Sequence, residues 1–260
     1  MKDLIPIISF GCGEEEITSA AGWAASCPNQ FEFANEIKEK GIVRCYLIFY
    51  NRPETSEFLK SLKIVFKSNT GSAFSNIYLY KDALIALASI GAPAAAALME
   101  ELSVFGIKEF IAIGTAGCLD EKIKDKFLVV QKAIRDEGVS YHYLKPEPYV
   151  STNSELDEEI ENYLKEKNLD YVLGTTWTTD AIYRETTDKL KMAKDLGAVA
   201  VEMECAAWAS VAKFRDFKFS QILYFSDVLS KTSWNILFKE ETLSNSKDLP
   251  LLIAKDMIDK

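Results

Sequence analysis

Apolar segments of strand length alternate with helical segments along most of this chain of 260 residues. The clearest unit runs from Ala198 to Phe214, where an apolar run ends at Glu202 and an alanine-rich segment of helical character follows. Strands that alternate with helices favour a largely parallel sheet with helices on both faces. We therefore predict an α/β fold, in which residues 1–260 form a single domain around a mixed, mostly parallel central sheet flanked by helices.

The same pattern assigns individual elements. Apolar runs bounded by polar segments indicate strands, and runs of helix-forming residues that end at glycine indicate helices. Residues 18–30 are rich in Ala and Ser, and both a short helix and a loop stay open there. The predicted strands are 45–50, 77–80, 83–89, 109–113, 127–133, 171–176 and 219–225, and the predicted helices are 93–105, 155–168, 187–196 and 248 onward.

The composition limits the classes of function. A net charge of −9 with no basic cluster argues against nucleic acid as a partner. His142 is the single histidine, which nearly excludes a histidine-based zinc site, and we expect no metal or other cofactor. The five cysteines include no Cys-x-x-Cys pair, and no run reaches the length of a membrane span. We expect a cytoplasmic protein with no membrane partner.

Two carboxylates follow the buried run that ends near residue 202. Glu202 and Glu204 flank Met203 where the predicted strand meets the predicted helix. Burying a carboxylate is costly unless it is paired or hydrogen-bonded, and a hydrophobic core does not need this pattern. Ligand sites of α/β sheets form at such strand ends, and sugar hydroxyls are suitable partners for a carboxylate there.

Two further segments place polar groups directly after apolar runs. Gly114-Thr-Ala-Gly117 follows one predicted strand, where backbone N–H groups next to glycine can approach an anion; a simple tight turn is the alternative. Asp227 lies at the end of another strand, where it acts either as a cap or as a general acid.

These blocks resemble the nucleoside phosphorylase family, which includes uridine phosphorylase and the hexameric purine nucleoside phosphorylases. The blocks that carry the resemblance are 110–119, 133–143, 176–185, 198–214 and 224–230, in the family's order. The resemblance extends from about Tyr46 to the C-terminus and leaves residues 1–44 as a divergent N-terminal segment. It implies a homo-oligomer, a dimer or a trimer of dimers, that cleaves a nucleoside with phosphate as co-substrate.

The resemblance also implies roles for residues of the nucleoside half of the site. Glu204 matches the ribose-binding glutamate and Met203 the methionine that packs on the sugar, with Glu202 as a further ribose-side residue. Asp227 matches the aspartate that supports protonation of N7 in purine-cleaving members, which favours a purine over uridine. Burial in the core and bracing of the loop are the structural alternatives for Met203 and Glu202.

Other residues match the family at the edges of the site. Thr115, next to Gly114, matches the phosphate-binding Ser or Thr of the family. Tyr183 and Arg184 lie in the region that supplies an aromatic wall and base contacts. His142 is a further possible lining residue.

The phosphate half departs from the family pattern. Arg52 is the nearest substitute for a missing loop arginine, and Ala112 stands where a second arginine is expected. Two alternatives therefore stay open: a phosphate-independent nucleosidase and a nucleoside-binding protein without catalysis. Residues 14–16 resemble the Glu-Glu-Glu of methylthioadenosine nucleosidases, although they precede the first strand that matches the family.

Overall fold

The computed structural model describes residues 16–49, 53–67, 76–152, 155–230, 233–237 and 248–260. Within these ranges eleven strands form one sheet. The strands are β1 (Arg44–Ile48), β2 (Lys63–Lys67), β3 (Asn76–Tyr80), β4 (Ala83–Leu87), β5 (Glu109–Cys118), β6 (Phe127–Asp136), β7 (Tyr149–Ser151), β8 (Tyr171–Thr179), β9 (Ala198–Glu202), β10 (Lys218–Leu229) and β11 (Trp234–Ile236).

Nine α-helices occur in the same ranges, together with four short 3₁₀ turns. The helices are α1 (Ala20–Ser26), α2 (Ala34–Glu39), α3 (Glu57–Ser61), α4 (Ala92–Ser103), α5 (Ser140–Tyr143), α6 (Glu155–Glu166), α7 (Thr187–Asp195), α8 (Cys205–Arg215) and α9 (Leu249–Ile258). The 3₁₀ turns are Pro28–Phe31, Pro53–Thr55, Glu121–Ile123 and Ile182–Arg184.

The central strands are buried on both faces. In β1, Cys45 and Leu47 face the core beneath α2, α4 and α8, whereas Tyr46 and Ile48 face the core beneath α3, α6 and α9. This alternation follows from the two-residue period of a strand and explains why the central strands are apolar throughout. A smaller core packs α7 against β8 and β9.

The sheet closes on itself over part of its width. Ten of its strands have the order β11-β10-β6-β8-β9-β5-β1-β4-β3-β2, β7 pairs with β6 outside this order, and β10 also pairs with β5. Strands β5, β10, β6, β8 and β9 therefore form a closed ring, from which β1 to β4 extend as an open sheet. The longest pairings, β5 with β10 and β6 with β8, are parallel, whereas the pairings of β2, β3, β7 and β11 are antiparallel.

The predicted α/β class, with a mixed sheet flanked by helices, is confirmed. The predicted strands 77–80 and 83–89 are β3 and β4, which pair as an antiparallel hairpin, and Lys81 at its turn has a positive φ of 51°. The stretch 18–30 contains α1 and a 3₁₀ turn. The prediction that Gly114–Gly117 follows a strand was wrong, because β5 continues through these residues to Cys118. No helix in the described ranges has the length and apolar character needed to cross a lipid bilayer.

Candidate active site

The polar segments named above meet around Gly117 on β5. Gly117 lies opposite Val201 of the antiparallel strand β9 and opposite Asp227 of the parallel strand β10. The carboxyl ends of the parallel strands β1, β4, β5 and β10 lie at this same edge of the sheet. Such an edge is where α/β sheets form ligand sites.

Two glycines of β5 are required by close packing. A Cβ on Gly114 would lie 2.5 Å from Cδ2 of Phe49, which follows β1. A Cβ on Gly117 would lie 2.9 Å from Cγ1 of Val201 and 3.1 Å from Oδ2 of Asp227. Gly117 thus lets the Asp227 carboxylate lie directly against β5, which a side chain at position 117 would prevent.

Glu202 caps the N-terminus of α8 from the end of β9. Its Oε2 accepts hydrogen bonds from the backbone N–H groups of Glu204 (2.8 Å) and Cys205 (2.6 Å), and its Oε1 accepts from Thr178 Oγ1 (2.5 Å). Thr178 in turn accepts from the N–H of Ala206 at 3.0 Å. These bonds satisfy donors that a helix start leaves without partners, so Glu202 holds the turn that carries Glu204.

Glu204 is 5% exposed and lies at the N-cap of α8. Its Oε1 accepts a hydrogen bond of 2.5 Å from the backbone N–H of Gly91, the N-cap of α4. Gly91 has a φ of 102°, which glycine adopts without strain. The carboxylate of Glu204 is therefore held between the starts of two helices.

The two glutamates oppose each other's ionisation. Burial, and then the negative charge of Glu202, raise the pKa of Glu204 above its ordinary value. Burial also raises the pKa of Glu202, while its hydrogen bonds with Thr178 and with backbone N–H groups act in the opposite direction. In the described part of the chain neither glutamate forms an ion pair with Lys or Arg, so burial of this pair carries a cost that folding alone does not explain.

Asp227 accepts two hydrogen bonds from its own strand and from β11. Ser226 Oγ donates to its Oδ1 at 2.6 Å, and Trp234 Nε1 donates to its Oδ2 at 2.8 Å. The β10–β5 register shifts between Phe225 and Asp227, and this irregularity turns the carboxylate toward Gly117. Trp234 is 56% exposed, so its indole ring also borders the site.

Glu185 is a further candidate site residue to which no sequence motif points. It directly follows the 3₁₀ turn Ile182–Arg184, is half-buried, and accepts no hydrogen bond from any described residue. Burial, and then the charge of Asp227, raise the pKa of Glu185 to about 7. The two residues are distant in sequence, so no local sequence signal indicates this electrostatic interaction.

Thr115, predicted to bind phosphate, is exposed on β5. This is the one exposed residue of β5, whose other nine residues are buried or half-buried, so its side chain is accessible to a ligand. Ala112 is fully buried between Leu47 and Gln221, and β5 supplies no cation at this position. Arg52, the predicted substitute, lies outside the described residues.

The remaining predicted site residues are half-buried or exposed. Met203 is half-buried between the two glutamates, and Tyr183 is 86% exposed beside the exposed Arg184. His142 is exposed on the short helix α5. The segment that precedes α5 is joined to the end of β8, because the N–H of Gly138 donates to Oδ2 of Asp180 at 2.9 Å.

Glu16 lies at the opposite end of α8 from the candidate site. Its carboxylate binds Arg215 in the last turn of this helix, and Arg215 also binds Glu100. Eleven helical residues correspond to about 16 Å, so Glu16 is remote from Glu204 at the other end. Residues 14 and 15 lie outside the described residues.

Comparisons with known proteins identify relatives of this chain. A family model described as the phosphorylase superfamily matches residues 53–259. Curated relatives include a DeoD-type purine nucleoside phosphorylase from Aliivibrio fischeri, 31% identical over 126 residues, and a uridine phosphorylase from Haemophilus influenzae, 28% identical over 130 residues. These matches cover 47% and 44% of this chain and 53% and 52% of the relatives, so the chain spans about half of each relative's length.

A solved structure extends the likeness of fold over most of the chain. The AMP nucleosidase from Bacteroides thetaiotaomicron superimposes with a TM-score of 0.62 at 21% identity. The superposition covers 83% of this chain and 90% of that structure. The resemblance predicted from the sequence blocks is confirmed by these findings.

Proposed function

Because the chain belongs to the phosphorylase superfamily, we propose that it cleaves the N-glycosidic bond of a nucleoside, with phosphate as the nucleophile. One observation carries this proposal: the buried Glu204 follows β9 and Asp227 lies on β10, and both of these strands pair with β5 at the end that carries the exposed Thr115. The products are the free base and ribose 1-phosphate.

In the proposed site two carboxylates contact different parts of the nucleoside. Glu204 binds the ribose hydroxyls, because a buried carboxylate without a cationic partner gains most from donors that a ligand supplies. Met203 packs on the sugar, and Glu202 holds the turn beneath it. Asp227 contacts the leaving base, and we propose a purine because an aspartate here matches the purine-cleaving members.

The phosphate half uses Thr115 and the backbone around Gly114, with Arg52 as the proposed cation. Phosphate carries charge that backbone N–H groups alone hold less strongly than an arginine does. Tyr183 and Arg184 are proposed to border the base, and His142 to lie near the site entrance.

Hydrolysis is a second candidate, and a specific observation favours it. Ala112 is fully buried in β5 where the family's second arginine is expected, so this strand contributes no charge for phosphate. Water needs no cationic site, and the same Glu204 and Asp227 then serve a nucleosidase.

We propose that the chain assembles into a homo-oligomer, a dimer or a trimer of dimers. Apolar side chains near the site support this assembly: Ile90 is 75% exposed beside Gly91, and Tyr183 is 86% exposed. Light scattering of the purified protein at several concentrations tests it, and a mass of 29.2 kDa throughout contradicts it.

The test measures turnover of inosine, adenosine and uridine, each with and without phosphate, and identifies the sugar product. Phosphate-dependent formation of ribose 1-phosphate from inosine or adenosine is the expected result. Free ribose formed at the same rate without phosphate assigns the nucleosidase, and preference for uridine overturns the purine assignment. Tight nucleoside binding without any cleavage assigns a binding protein.

A further inference from the structure

The β8–α7 connection, residues 180–186, carries Tyr183 and Arg184, which are proposed to border the base. The backbone hydrogen bonds of Arg184 are local: its N–H donates to the carbonyl of Ala181 at 2.7 Å, and its carbonyl accepts from the N–H of Thr186 at 2.9 Å. Tyr183 and Arg184 are exposed, so packing contributes little to holding them. The position of this connection therefore depends on how its two ends are fixed.

The first end is fixed by Asp180, which directly follows β8. Its Oδ2 accepts a hydrogen bond of 2.9 Å from the N–H of Gly138, in the segment that follows β6. Two residues before Asp180, Thr178 donates to Oε1 of Glu202 at 2.5 Å. The connection therefore begins two residues after a direct contact with the candidate site, and a second strand end holds it there.

The second end is fixed by an ion pair between α7 and β6. Lys189, in the first turn of α7, donates to Oδ2 of Asp136 at 2.7 Å. The same oxygen accepts from Nε1 of Trp177 on β8 at 3.0 Å, and the fully buried Trp177 shares a core with Leu190 of α7. Asp136, the last residue of β6, therefore joins β8 and α7 at one point.

We propose that Asp136 and Asp180 are positioning residues, which hold the two ends of the β8–α7 connection so that Tyr183 and Arg184 border the base. Asp136 and Gly138 are two positions apart in sequence, so one short segment at the end of β6 fixes both ends. This inference rests on the proposed glycosidic cleavage. It gives these two carboxylates a part in nucleoside binding without any contact with the nucleoside.

The first test removes the Lys189 contact and leaves the buried donor satisfied. Lys189→Met still allows Asp136 to accept from Trp177, so the variant is expected to fold. We expect KM for the nucleoside to rise about threefold to fivefold, as for one partly exposed ion pair, with kcat and KM for phosphate changed less than about twofold. Lys189→Arg keeps the charge and should restore KM. Lys191→Met, which removes the pair with Asp195 inside α7, is the matched control and should keep all three constants.

The second test concerns the Asp180 end. Asp180→Asn keeps an acceptor oxygen for the N–H of Gly138, whereas Asp180→Ala removes it. We therefore expect Asp180→Ala to raise KM for the nucleoside by about tenfold and Asp180→Asn to change it much less. Equal effects of the two substitutions would come from the loss of charge alone, and they overturn the positioning role of Asp180.

Trypsin cleavage after the exposed Arg184 measures how firmly the connection is held, without any substrate. Because local opening controls proteolysis, mass spectrometry should find cleavage about threefold to fivefold faster in Lys189→Met and Asp180→Ala than in wild type and Lys191→Met. Unchanged cleavage, or unchanged KM in an active enzyme, overturns this inference alone. Failure of wild type to cleave any nucleoside overturns the proposed function, and the role of the two aspartates in nucleoside binding with it.

Discussion

The carboxylates of the candidate site differ mainly in the groups that donate hydrogen bonds to them. Glu202 has three close donors and serves the fold, whereas Glu204 has Gly91 and retains capacity for a ligand. Asp227 is held by Ser226 and Trp234. Residues of the same charge therefore take different roles because of the hydrogen bonds around them.

Glu204→Gln is expected to raise the free energy of unfolding, and this gain is expected to depend on pH. The pKa of Glu204 is raised in the folded chain, so folding retains a proton that the unfolded chain releases above its ordinary value of 4.5. Wild type therefore loses stability as pH rises above that value until the folded group also ionises, and glutamine has no such loss. Urea unfolding should show the variant about 1–3 kcal/mol more stable than wild type at pH 8, with a smaller difference at pH 5.

The same variant should lose most of its turnover, because the amide group of glutamine has one acceptor oxygen where the carboxyl group has two, and the N–H of Gly91 already uses one. A stability difference that is the same at pH 5 and pH 8 contradicts the raised pKa. Retained turnover contradicts the ribose assignment of Glu204.

Trp234→Phe is expected to lower kcat by about tenfold to a hundredfold, because it removes one donor to the Asp227 carboxylate and such bonds contribute about 1.5–3 kcal/mol. Phenylalanine keeps an aromatic ring at the border of the site, so KM for the nucleoside should change little. Steady-state kinetics separate the two effects. Trp23→Phe, on α1, is the control, and an equal effect of both substitutions contradicts a positioning role for Trp234.

At the scale of elements, much of the fold could be predicted from the sequence. The helices α4, α6, α7, α8 and α9 and the β3–β4 hairpin lie within a few residues of their predicted places. β5 could not be bounded, because Gly114-Thr-Ala-Gly117 has the composition of a loop while the neighbouring strands β9 and β10 hold it extended. Pairing across the sheet overrides local preference here.

Gly114→Ala tests whether Gly114 is needed for close packing, for phosphate binding, or for both. The added Cβ would lie 2.5 Å from the Phe49 ring, and such overpacking costs about 1–3 kcal/mol. Phe49→Leu opens space at the same place, so the double variant should recover part of the lost stability in urea unfolding. Recovery of stability together with a raised KM for phosphate assigns both roles to Gly114; no recovery contradicts the packing explanation.

Glu202→Ala is expected to weaken the start of α8. It leaves the N–H groups of Glu204 and Cys205 and the hydroxyl of Thr178 without their buried acceptor. A loss of at least about 2 kcal/mol in unfolding free energy follows. Thr186→Ala removes the exposed cap of α7, whose bond to the N–H of Lys189 is 3.4 Å, and should cost less. Equal losses of unfolding free energy in the two variants contradict a stabilising role for the buried hydrogen bonds of Glu202.

At the scale of the whole molecule, ring closure is the feature that the sequence did not reveal. The apolar patterns of the sequence predict that β5 and β10 are strands. They do not predict that these two strands pair and so close the ring. The candidate site depends on this closure, since it brings Asp227 beside Gly117. Glu202 and Glu204 could be recognised from the sequence because they follow a local strand. Glu185 could not, because Asp227, whose charge raises its pKa, is distant in sequence.

Hydrogen exchange should reveal the ring directly. Amides of β5 and β10 are paired on both sides within the closed ring, whereas β2 and β11 are end strands in the described part of the sheet. Mass spectrometry should find the slowest exchange in segments 109–118 and 218–225 and the fastest strand exchange in 63–67 and 234–236. Equal exchange rates in these two groups contradict a rigid closed ring.

The five strands of the closed ring form a scaffold, and the connection between β8 and α7 lies outside it. The connection from Asp180 to Thr186 joins β8 to α7 without contributing a strand, yet it carries Tyr183, Arg184 and Glu185. Grafting this connection from a relative leaves all five ring strands in place. Under the proposed glycosidic cleavage, we expect such a graft to change which aglycone is released while the scaffold still folds.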